Sequence, residues 1–389
     1  MKTYYIRTFG CKVNQYETQL ISDKLKKDGL IRVIKPEEAD LVIFNSCTVT
    51  AEADKECEYM LRKASKMRNI KKIVLTGCLA VNKKDSLAEK FPEMEIQTDK
   101  SALFSDPQKQ TIENFEKRSR AFVKIQDGCD SFCSYCIVPY VRKRLWSKPT
   151  ETVAEEIKKL VQNGYREIVL TGIHIGKYEN GLSFLMQEIL KIPLCFRVRI
   201  SSVEMNEIDD RLIELMIDRP DKICRHLHIP LQSGSDEVLK RMNRHYLTKD
   251  FEKKIGKIMS ALPDAAVTSD IITGFPGETG KHHGQTCEFI RKTPFSGFHI
   301  FRYSDRAGTK ASSFGEKTSP EDIKKRSNDL FEIDREKRKA FIGKNEGKKR
   351  KAVSIGKSKA LTDNYIKVKN ARTEKGIFEV AVSSQNSEI

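Results

Sequence analysis

The stretch Gly128-Cys129-Asp130-Ser131-Phe132-Cys133-Ser134-Tyr135-Cys136 places three thiols at the spacing C-x3-C-x2-C. Cysteines this close together on a loop can bind one iron–sulfur cluster, whose irons normally take four thiolates. Three local ligands leave one iron without a protein ligand, and an open metal position permits chemistry. The alternative is a structural zinc site with a fourth ligand from elsewhere, although zinc sites usually show paired C-x2-C or Cys/His units. The spacing therefore favours a cluster over zinc.

The composition favours a nucleic-acid partner. The chain has 389 residues, enough for two or three domains, and its 71 basic and 54 acidic residues give a formal net charge of +17. No apolar run approaches the length of a membrane-spanning helix, and residues 1–7 lack the apolar region of a signal peptide. We therefore expect a cytoplasmic protein without a membrane association, in which cysteines serve metal binding or catalysis rather than disulfides.

The first hundred residues predict a parallel sheet, because strand-like and helix-like segments alternate along them. Cys11, Cys47 and Cys78 each follow one of the predicted strands and precede the next helix. Ligands gather at the carboxyl ends of strands in open α/β sheets. We therefore expect these three cysteines to converge at one edge and to form a second metal centre. The strands are expected at residues 4–8, 40–45 and 72–76, and the helices at about 14–27 and 52–67.

A second strand–helix alternation begins at residue 121, after a polar segment, 101–120, that reads as a linker. Six parallel strands with helices between them predict a partial, open (β/α)6 barrel rather than the closed eightfold form. The triple-cysteine loop follows the first of these strands, at the end of the barrel where active sites lie. The six strands are expected at residues 122–126, 167–173, 196–201, 226–231, 267–273 and 298–303.

A long charged helix and a small β domain are expected at the C-terminus. Ser319 followed by Pro320 is typical of a helix start, and the helix should extend to about residue 342. Beyond it, segments 348–354, 359–368 and 377–382 alternate apolar and polar residues like the strands of a small β-barrel. The predicted fold class is therefore α/β, with domains at 1–110, 115–345 and 346–389.

With both cysteine sets in place, the chain resembles the radical S-adenosylmethionine (SAM) methylthiotransferases over essentially its whole length. That family joins an N-terminal methylthiotransferase domain, a radical SAM core and a C-terminal TRAM domain that binds RNA. The resembling stretches are Thr8-Phe9-Gly10-Cys11-Lys12-Val13-Asn14-Gln15, Asn45-Ser46-Cys47-Thr48-Val49-Thr50, Thr76-Gly77-Cys78, His228-Ile229-Pro230-Leu231-Gln232-Ser233-Gly234 and Asp270-Ile271-Ile272-Thr273-Gly274-Phe275-Pro276-Gly277-Glu278.

Two stretches look most like the branch that modifies N6-threonylcarbamoyladenosine in tRNA, immediately 3′ of the anticodon. They are Asn14-Gln15-Tyr16-Glu17-Thr18 and Cys47-Thr48-Val49-Thr50-Ala51-Glu52-Ala53-Asp54. The resemblance implies two 4Fe–4S clusters, an auxiliary one on Cys11, Cys47 and Cys78 and a radical-generating one on Cys129, Cys133 and Cys136.

The resemblance also implies a mechanism. One SAM molecule methylates sulfur carried on the auxiliary cluster, and a second is cleaved reductively. The resulting 5′-deoxyadenosyl radical removes hydrogen from C2 of the adenine ring, and methylthio sulfur replaces it. An electron donor of the flavodoxin or ferredoxin type is implied as a partner.

In the superfamily the unliganded iron holds the amino and carboxylate groups of SAM. By the same resemblance Tyr135, next to the last cysteine, would lie by the adenine of SAM. Thr171 and Gly172 end a barrel strand where a glycine-rich turn would meet the SAM amino group. Glu204, after the next strand, would bind the ribose; the alternatives are an ordinary packed aromatic for Tyr135 and a solvated acid for Glu204.

Two basic runs are candidates for RNA contacts. One surrounds the chain's only tryptophan, so charge and a stacking surface lie near the cysteine loop; the other opens the C-terminal domain. Runs of this kind are also found on ordinary solvated faces, which is the alternative for both. The residues are Arg142, Lys143, Arg144 and Lys148 around Trp146, and Lys348, Lys349, Arg350 and Lys351.

Other functions compete with this interpretation. Related branches methylthiolate isopentenyladenosine in tRNA or an aspartate of a ribosomal protein. A different class of protein, a noncatalytic RNA-binding protein stabilised by zinc, would explain the charge and the β domain, but it gives no catalytic reason for six cysteines in two sets at strand ends.

Overall fold

The computed structural model describes residues 1–104, 106, 108–115, 119–356, 358–369 and 376–388. Within these ranges parallel sheets and helices are followed by a small antiparallel sheet, so the predicted α/β class is confirmed. A search of the same residues finds no helix with the length and apolar character needed to cross a membrane.

The N-terminal unit is a five-stranded parallel sheet with helices on both faces. In chain order its elements are β1 (Thr3–Thr8), α1 (Lys12–Lys27), β2 (Ile31–Arg32), β3 (Leu41–Ser46), α2 (Ala51–Ala64), β4 (Lys72–Gly77), α3 (Cys78–Asn82), α4 (Lys84–Lys90) and β5 (Glu95–Gln97). The strands lie in the order β2-β1-β3-β4-β5. The central strand β3 is apolar and wholly buried, because Ile43 packs on the α1 side and Phe44 on the α2 side.

The second unit is an open half-barrel of parallel strands. Its elements are β6 (Ala121–Asp127), α5 (Val138–Val141), β7 (Trp146–Ser147), α6 (Thr150–Gln162), β8 (Glu167–Gly172), α7 (Leu182–Leu190), β9 (Arg197–Ile200), α8 (Asp210–Asp218), β10 (His226–His228), α9 (Asp236–Arg241), α10 (Thr248–Ala261), β11 (Ala266–Thr273), α11 (Gly280–Lys292), β12 (Gly297–Arg302) and α12 (Pro320–Lys344). Strands β6, β8 and β9 form one parallel set and β10, β11 and β12 another, while the short β7 runs antiparallel to β6. Single bridges, Val198 to Ile223 and Ser202 to His228, join the two sets. No closed barrel is found in the described residues, in agreement with the predicted open (β/α)6 form.

The segment interpreted as a linker packs against the barrel instead. Phe104, Ile112 and Phe115 are buried in the main core. The backbone N–H of Phe115 donates to the Tyr165 hydroxyl at 2.7 Å, and that of Ile112 to Glu156 at 3.0 Å. A few well-placed apolar residues therefore outweigh the polar composition of this segment.

The C-terminal unit is a four-stranded antiparallel sheet. Its strands are β13 (Lys349–Gly356), β14 (Lys359–Thr362), β15 (Lys367–Lys369) and β16 (Ile377–Ala381), in the order β15-β14-β13-β16. The strand expected at 359–368 is divided by a turn in which Tyr365 has φ +71°. The small β domain is thus present, and its four described strands do not close into a barrel.

A buried carboxylate between two arginines anchors the C-terminal sheet to the half-barrel. Glu167 accepts hydrogen bonds from Nε of Arg197 and Nε of Arg199, both at 2.8 Å. The remaining N–H groups of the arginines donate to the backbone oxygens of Lys351 and Thr362, also at 2.8 Å. Glu167 and Arg197 begin their strands, whereas the cysteine loop follows a strand end. The C-terminal unit therefore lies at the opposite end of the barrel from the cysteines.

Candidate active site between two cysteine loops

The cysteines of the N-terminal unit lie on three loops that converge at one edge of its sheet. Cys11 precedes α1, Cys47 follows β3, and Cys78 begins α3 directly after β4. Burial, together with the nearby charges of Cys78 and Cys11, raises the pKa of the Cys47 thiol to about 11. A thiolate at neutral pH is therefore expected here only when a metal binds.

One glycine and one buried amide hold these loops together. Gly10 has φ +87°, and a Cβ at this position would lie 2.6 Å from Sγ of Cys47, so only glycine allows the two loops to approach. Nδ2 of Asn14 donates to the backbone oxygens of Phe9 at 2.9 Å and Ser46 at 2.8 Å. The amide thereby joins the loop that carries Cys11 to the loop that carries Cys47.

Neither set of three thiols is close enough together to bind a single zinc ion as the structure places them. Two thiolates on one tetrahedral zinc ion lie about 3.8 Å apart, given Zn–S bonds of about 2.3 Å. Among the described residues, which include all six cysteines, neither triad has its three Sγ atoms all within 4.8 Å of one another. In a cluster each thiolate binds a different iron, so the ligands stand farther apart.

The C-x3-C-x2-C loop follows β6 and is fixed at its first residue. Gly128 has φ +80°, and a Cβ there would lie 2.4 Å from the backbone oxygen of Arg144. Nε2 of Gln126 donates to the oxygen of Gly128 at 2.8 Å, and its Oε1 accepts from the N–H of His174 at 2.7 Å. The loop is thus joined to the turn after β8. Burial raises the pKa of Cys136, the last thiol of the loop, to about 12.

Two side chains that the sequence did not indicate contact these thiols. Nδ1 of His174 lies 3.5 Å from Sγ of Cys129, and its Nε2 lies 2.6 Å from Oε1 of Glu207. Burial would lower the pKa of His174, but Cys129 and Glu207 outweigh it and raise this pKa to about 10. Nη1 of Arg244 donates to Sγ of Cys133 at 3.4 Å. Each of these two thiols therefore has a cationic donor, which stabilises the thiolate.

The residues expected to bind SAM lie around this loop. Tyr135 is packed in a small apolar cluster and lines a cavity beside the cysteines. Thr171 is buried at the end of β8, and a Cβ on Gly172 would lie 2.9 Å from a backbone oxygen, which leaves no room for a side chain. Glu204 forms an ion pair with Arg244. The roles of these residues toward SAM stay predictions.

Residues next to both cysteine sites line one cavity. Cys78 packs with Ile137 and Val141 in an apolar cluster shared by both units. Beside it lies a cavity of about 200 Å³, to which both cysteine loops contribute. The C-x3-C-x2-C loop, residues 128–136, is called the radical loop. The cavity lining includes Val49 and Thr50 from the loop after Cys47, Tyr135 and Cys136 from the radical loop, and Gln232, Asp270, Ile272, Phe301 and Arg302 from the barrel. A base in this cavity would contact the loop after Cys47 and the loop that carries Cys136.

An ionised carboxylate flanked by two histidines occupies the inner face of the barrel. Oδ1 of Asp270 lies 3.1 Å from Nε2 of His228 and 3.3 Å from Nδ1 of His299. Burial would raise the pKa of Asp270, but the two imidazoles outweigh it and hold this pKa below its usual range. This cluster was not among the predicted site residues, although Asp270 and His228 begin two of the resembling stretches.

The loop after β3 docks on the end of β12. Nη2 of Arg306 donates to Oγ1 of Thr48 and to Oδ2 of Asp54, both at 2.6 Å. The backbone N–H of Ala51 donates to Oγ of Ser304 at 2.9 Å. These bonds fix the auxiliary cysteine site relative to the barrel.

Two of the basic residues near Trp146 are buried inside ion pairs. Arg142, with a side chain 7% exposed, lies 2.8 Å from Glu17 and 2.9 Å from Asp127. Lys148 is fully buried, and its Nζ lies 2.7 Å from Glu156. They hold the units of the protein together rather than facing solvent.

The remaining residues of this run are accessible. Lys143 and Arg144 are exposed, and Trp146 is half-buried with the ammonium of Lys124 4.9 Å from its ring centroid. Charge and an aromatic surface are thus present near the radical loop, as the sequence suggested.

The C-terminal basic run divides in the same way. Lys348 pairs with Asp264 at 3.0 Å, and Arg350 binds two carboxylates at 2.9 and 3.6 Å. Lys349 and Lys351 are exposed, and within the described residues no side-chain partner is found for either. Two of the four residues are therefore available to a ligand.

Comparison with known proteins identifies both larger units. The uncharacterized protein family UPF0004 matches residues 3–99, and the radical SAM superfamily matches residues 123–290. The solved structure of the radical SAM methyltransferase TsrM from Kitasatospora setae superimposes with a TM-score of 0.56 at 13% identity, over 78% of this chain and 75% of that one. Fold and cluster loop together define a radical SAM enzyme.

Closer relatives give the family. Threonylcarbamoyladenosine tRNA methylthiotransferase MtaB of Thermotoga maritima is 38% identical over 88% of this chain and 85% of its own length. MtaB of Bacillus subtilis is 34% identical over 98% of this chain and 93% of its own. A tRNA-2-methylthio-N(6)-dimethylallyladenosine synthase of Clostridium botulinum is 36% identical over 88% and 84%. The chain belongs to the family of radical SAM tRNA methylthiotransferases.

The family determines the class of protein and the cofactors of this chain. The protein is an enzyme that uses SAM and a 4Fe–4S cluster, so the alternative of a noncatalytic zinc-stabilised RNA-binding protein is wrong. The family also favours tRNA over a ribosomal protein as the substrate.

Proposed function

We propose that this enzyme attaches a methylthio group to C2 of N6-threonylcarbamoyladenosine next to the anticodon of tRNA, using two 4Fe–4S clusters and two SAM molecules. One observation carries the proposal: a single cavity is lined both by Val49 and Thr50, which follow Cys47, and by Tyr135 and Cys136 of the radical loop. A base held there is within reach of both cysteine sites. When bound, the clusters supply the electron for SAM cleavage and the sulfur for transfer.

The chain itself positions these groups and excludes water. The cysteines Cys11, Cys47 and Cys78 would hold the second cluster, and their convergence is fixed by the close contact of Gly10 with Cys47. Cys78 is buried in an apolar cluster with Ile137, and apolar surroundings limit the access of water to a radical. Action on tRNA places the enzyme in the cytoplasm, and a donor of the flavodoxin or ferredoxin type stays a prediction.

Two polar groups in the cavity favour threonylcarbamoyladenosine as the substrate, because the threonylcarbamoyl substituent ends in a carboxylate. Arg302 lines the cavity, and in the described part of the chain its side chain has no hydrogen bond or ion pair. Gln232 is 8% exposed, has φ +72°, and its Oε1 has no hydrogen-bond partner. A cation and an unpaired amide are suited to a carboxylate and an N–H group of the substrate.

The second candidate substrate is isopentenyladenosine. Val49, Ile137, Val138, Ile272 and Phe301 make most of the cavity wall apolar, which suits a hydrocarbon substituent, and the Clostridium relative is named for such a nucleoside.

Nucleoside mass spectrometry of tRNA distinguishes the two candidates. A strain without the gene should lose the methylthio form of threonylcarbamoyladenosine and keep that of isopentenyladenosine. The wild-type gene should restore it, and the Cys47→Ala gene should not. Loss of the methylthio isopentenyl nucleoside alone would overturn the proposed substrate.

A further inference from the structure

Two large aromatic rings are exposed beside the radical loop. Phe132 is 51% exposed and Tyr140 is 39% exposed, and their ring centroids lie 5.7 Å apart at an interplanar angle of 77°. Phe132 lies between Cys129 and Cys133, and Tyr140 lies two residues beyond Val138, which lines the cavity. This pair, the aromatic rim, is thus at the edge of the active site rather than in the core.

The backbone holds Phe132 in a disfavoured conformation. Its φ is +44°, in the left-handed region that bulky side chains avoid. Nδ2 of Asn243 donates to the oxygen of Phe132 at 3.1 Å, and the N–H of Ser134 donates to the oxygen of Met242 at 3.0 Å. The carbonyl of Phe132 and the N–H two residues further on are therefore both tied to the chain at the end of α9. Strain that surrounding bonds maintain at the edge of an active site is often functional.

Unpaired cations adjoin the rim. Lys143 and Arg144 follow Tyr140 by three and four residues; both are exposed, and neither has a side-chain partner in the ranges that the structure describes. Leu145, the next residue, is 47% exposed. Their neighbour Arg142, by contrast, forms ion pairs with Glu17 and Asp127. The exposed surface therefore combines aromatic faces with positive charge.

We infer that the aromatic rim is a stacking platform for an unpaired RNA base adjacent to the base that enters the cavity, with Lys143 and Arg144 at the neighbouring phosphates. The inference rests on the proposed function. Single-stranded bases stack on aromatic side chains, while cations follow the backbone. When one base leaves its stack to be modified, the adjoining base loses a neighbour, and an exposed ring replaces that neighbour.

Binding of an anticodon stem–loop RNA tests this inference. The probe carries threonylcarbamoyl on the target adenosine and 2-aminopurine, a fluorescent base that stacking quenches, at the adjacent position. The ring-removing variants are Tyr140→Leu and Phe132→Asn, because asparagine tolerates a left-handed backbone. The matched controls, Tyr140→Phe and Phe132→Tyr, keep the rings.

Each ring-removing variant should weaken binding roughly tenfold and lose the quenching, while the controls match the wild type. The dependence of affinity on salt should not change, because no phosphate contact is lost. Lys143→Gln with Arg144→Gln should instead reduce the slope of log K against log salt by about 1.4. The iron content per chain shows whether each variant still binds its clusters. Tyr140 lies outside the C-x3-C-x2-C segment, so its variant tests the inference even if Phe132→Asn loses iron.

Three results would contradict the inference. Unchanged affinity and quenching in Tyr140→Leu, with wild-type enzyme still active on tRNA, would overturn the platform and leave the proposed function intact. Unchanged RNA binding with weaker reduction by flavodoxin would instead make this surface a site for the electron donor. Absence of any methylthio product from wild-type enzyme would overturn the proposed function and the platform with it.

Discussion

His174 connects the carboxylate of Glu207 to the thiol of Cys129: Nδ1 lies 3.5 Å from the sulfur, and Nε2 lies 2.6 Å from the carboxylate oxygen. A side chain at Gly176 would collide with Glu207, since a Cβ there would lie 1.8 Å from Oε2. In the turn after β8, the lack of a side chain at Gly176 thus makes room for the carboxylate that lies against His174. A donor held on a cluster thiolate stabilises the reduced, more negative state of the cluster.

Replacing this donor should make the radical cluster harder to reduce. For His174→Leu we expect the midpoint potential to fall by on the order of 50 mV, the size of a tenfold change for one electron. Potentiometric titration followed by EPR measures it directly. His283→Leu is the control, because its histidine lies on α11 and pairs there with Asp329 at 3.0 Å. Equal potentials in wild type and His174→Leu would show that the contact is only structural.

Substrate selectivity should depend on Arg302. Arg302→Leu should lower kcat/KM for tRNA with threonylcarbamoyladenosine by about tenfold to a hundredfold, because a carboxylate loses its charged partner. Arg302→Lys keeps the charge and should retain most of the activity. The same assay with isopentenyladenosine tRNA gives the comparison. A uniform loss on both substrates would contradict a role in recognising the carboxylate.

Glu167 should contribute strongly to stability, because it lies fully buried between Arg197 and Arg199. Burial alone would raise the pKa of Glu167, but the guanidinium groups outweigh it and hold this pKa well below its usual range. The stabilisation is then complete above the unfolded pKa of about 4.3 and is lost as the pH falls below it. Glu167→Gln leaves two buried cations unpaired and should cost about 3–5 kcal/mol in the free energy of unfolding.

Urea unfolding followed by circular dichroism measures this cost. The difference between wild type and Glu167→Gln should be constant from neutral pH to about pH 5.5 and should shrink below about pH 4.3. Glu155→Gln, at an exposed i,i+4 pair with Lys159, is the control and should change stability by less than about 1 kcal/mol. A difference that grows on acidification would have the wrong sign for this mechanism.

The convergence of the N-terminal cysteines could be predicted from the sequence, because each of the three thiols follows a predicted strand. Cys11, Cys47 and Cys78 follow strands of one parallel sheet, and parallel strands end at the same edge. His174 has no such signal: a single histidine two residues past Gly172 has no spacing to interpret. The contact with Cys129 depends on how the turn after β8 packs against the loop after β6, which only the tertiary structure shows.

Charge was a weaker guide than spacing. Arg142 and Lys143 are neighbours with the same charge, yet Arg142 is bound by Glu17 and Asp127 while Lys143 is exposed. Glu17 lies in the N-terminal unit, far from Arg142 in the sequence, so the burial of Arg142 depends on the docking of two units. The same reasoning separates Arg350 from the exposed Lys351.

RNA binding by the C-terminal unit should therefore depend on two of the four residues in its basic run, 348–351. Deleting the unit would remove the carbonyl partners of Arg197 and Arg199, so point substitutions give the cleaner experiment. Lys349→Gln with Lys351→Gln should weaken tRNA binding and reduce the salt slope by about 1.4 to 1.8, for two lost phosphate contacts. Lys348→Gln, whose lysine already pairs with Asp264, is the control and should have a smaller effect. Unchanged tRNA affinity across the salt series would count against this surface.

The last prediction separates the two cysteine sites by mutation, because they lie on different units. Replacing Cys11, Cys47 and Cys78 with alanine should leave one cluster, measured as about half of the iron and sulfide of the wild type. With a strong reductant this variant should still cleave SAM to 5′-deoxyadenosine, because Cys129, Cys133 and Cys136 remain, but it should form no methylthio product. Replacing any one cysteine of the radical loop should abolish both activities.

Misfolding is the competing explanation for a loss of product, since removing a metal site can also remove folding energy. Thermal melting and a SAM cleavage assay together test for misfolding. A triple variant that still makes 5′-deoxyadenosine has a folded barrel. If that variant is folded and nevertheless produces methylthio-adenosine, the N-terminal cysteines do not deliver sulfur. Their convergence around Cys47 would then mark a structural site, and the cavity between the loops would need a different source of sulfur.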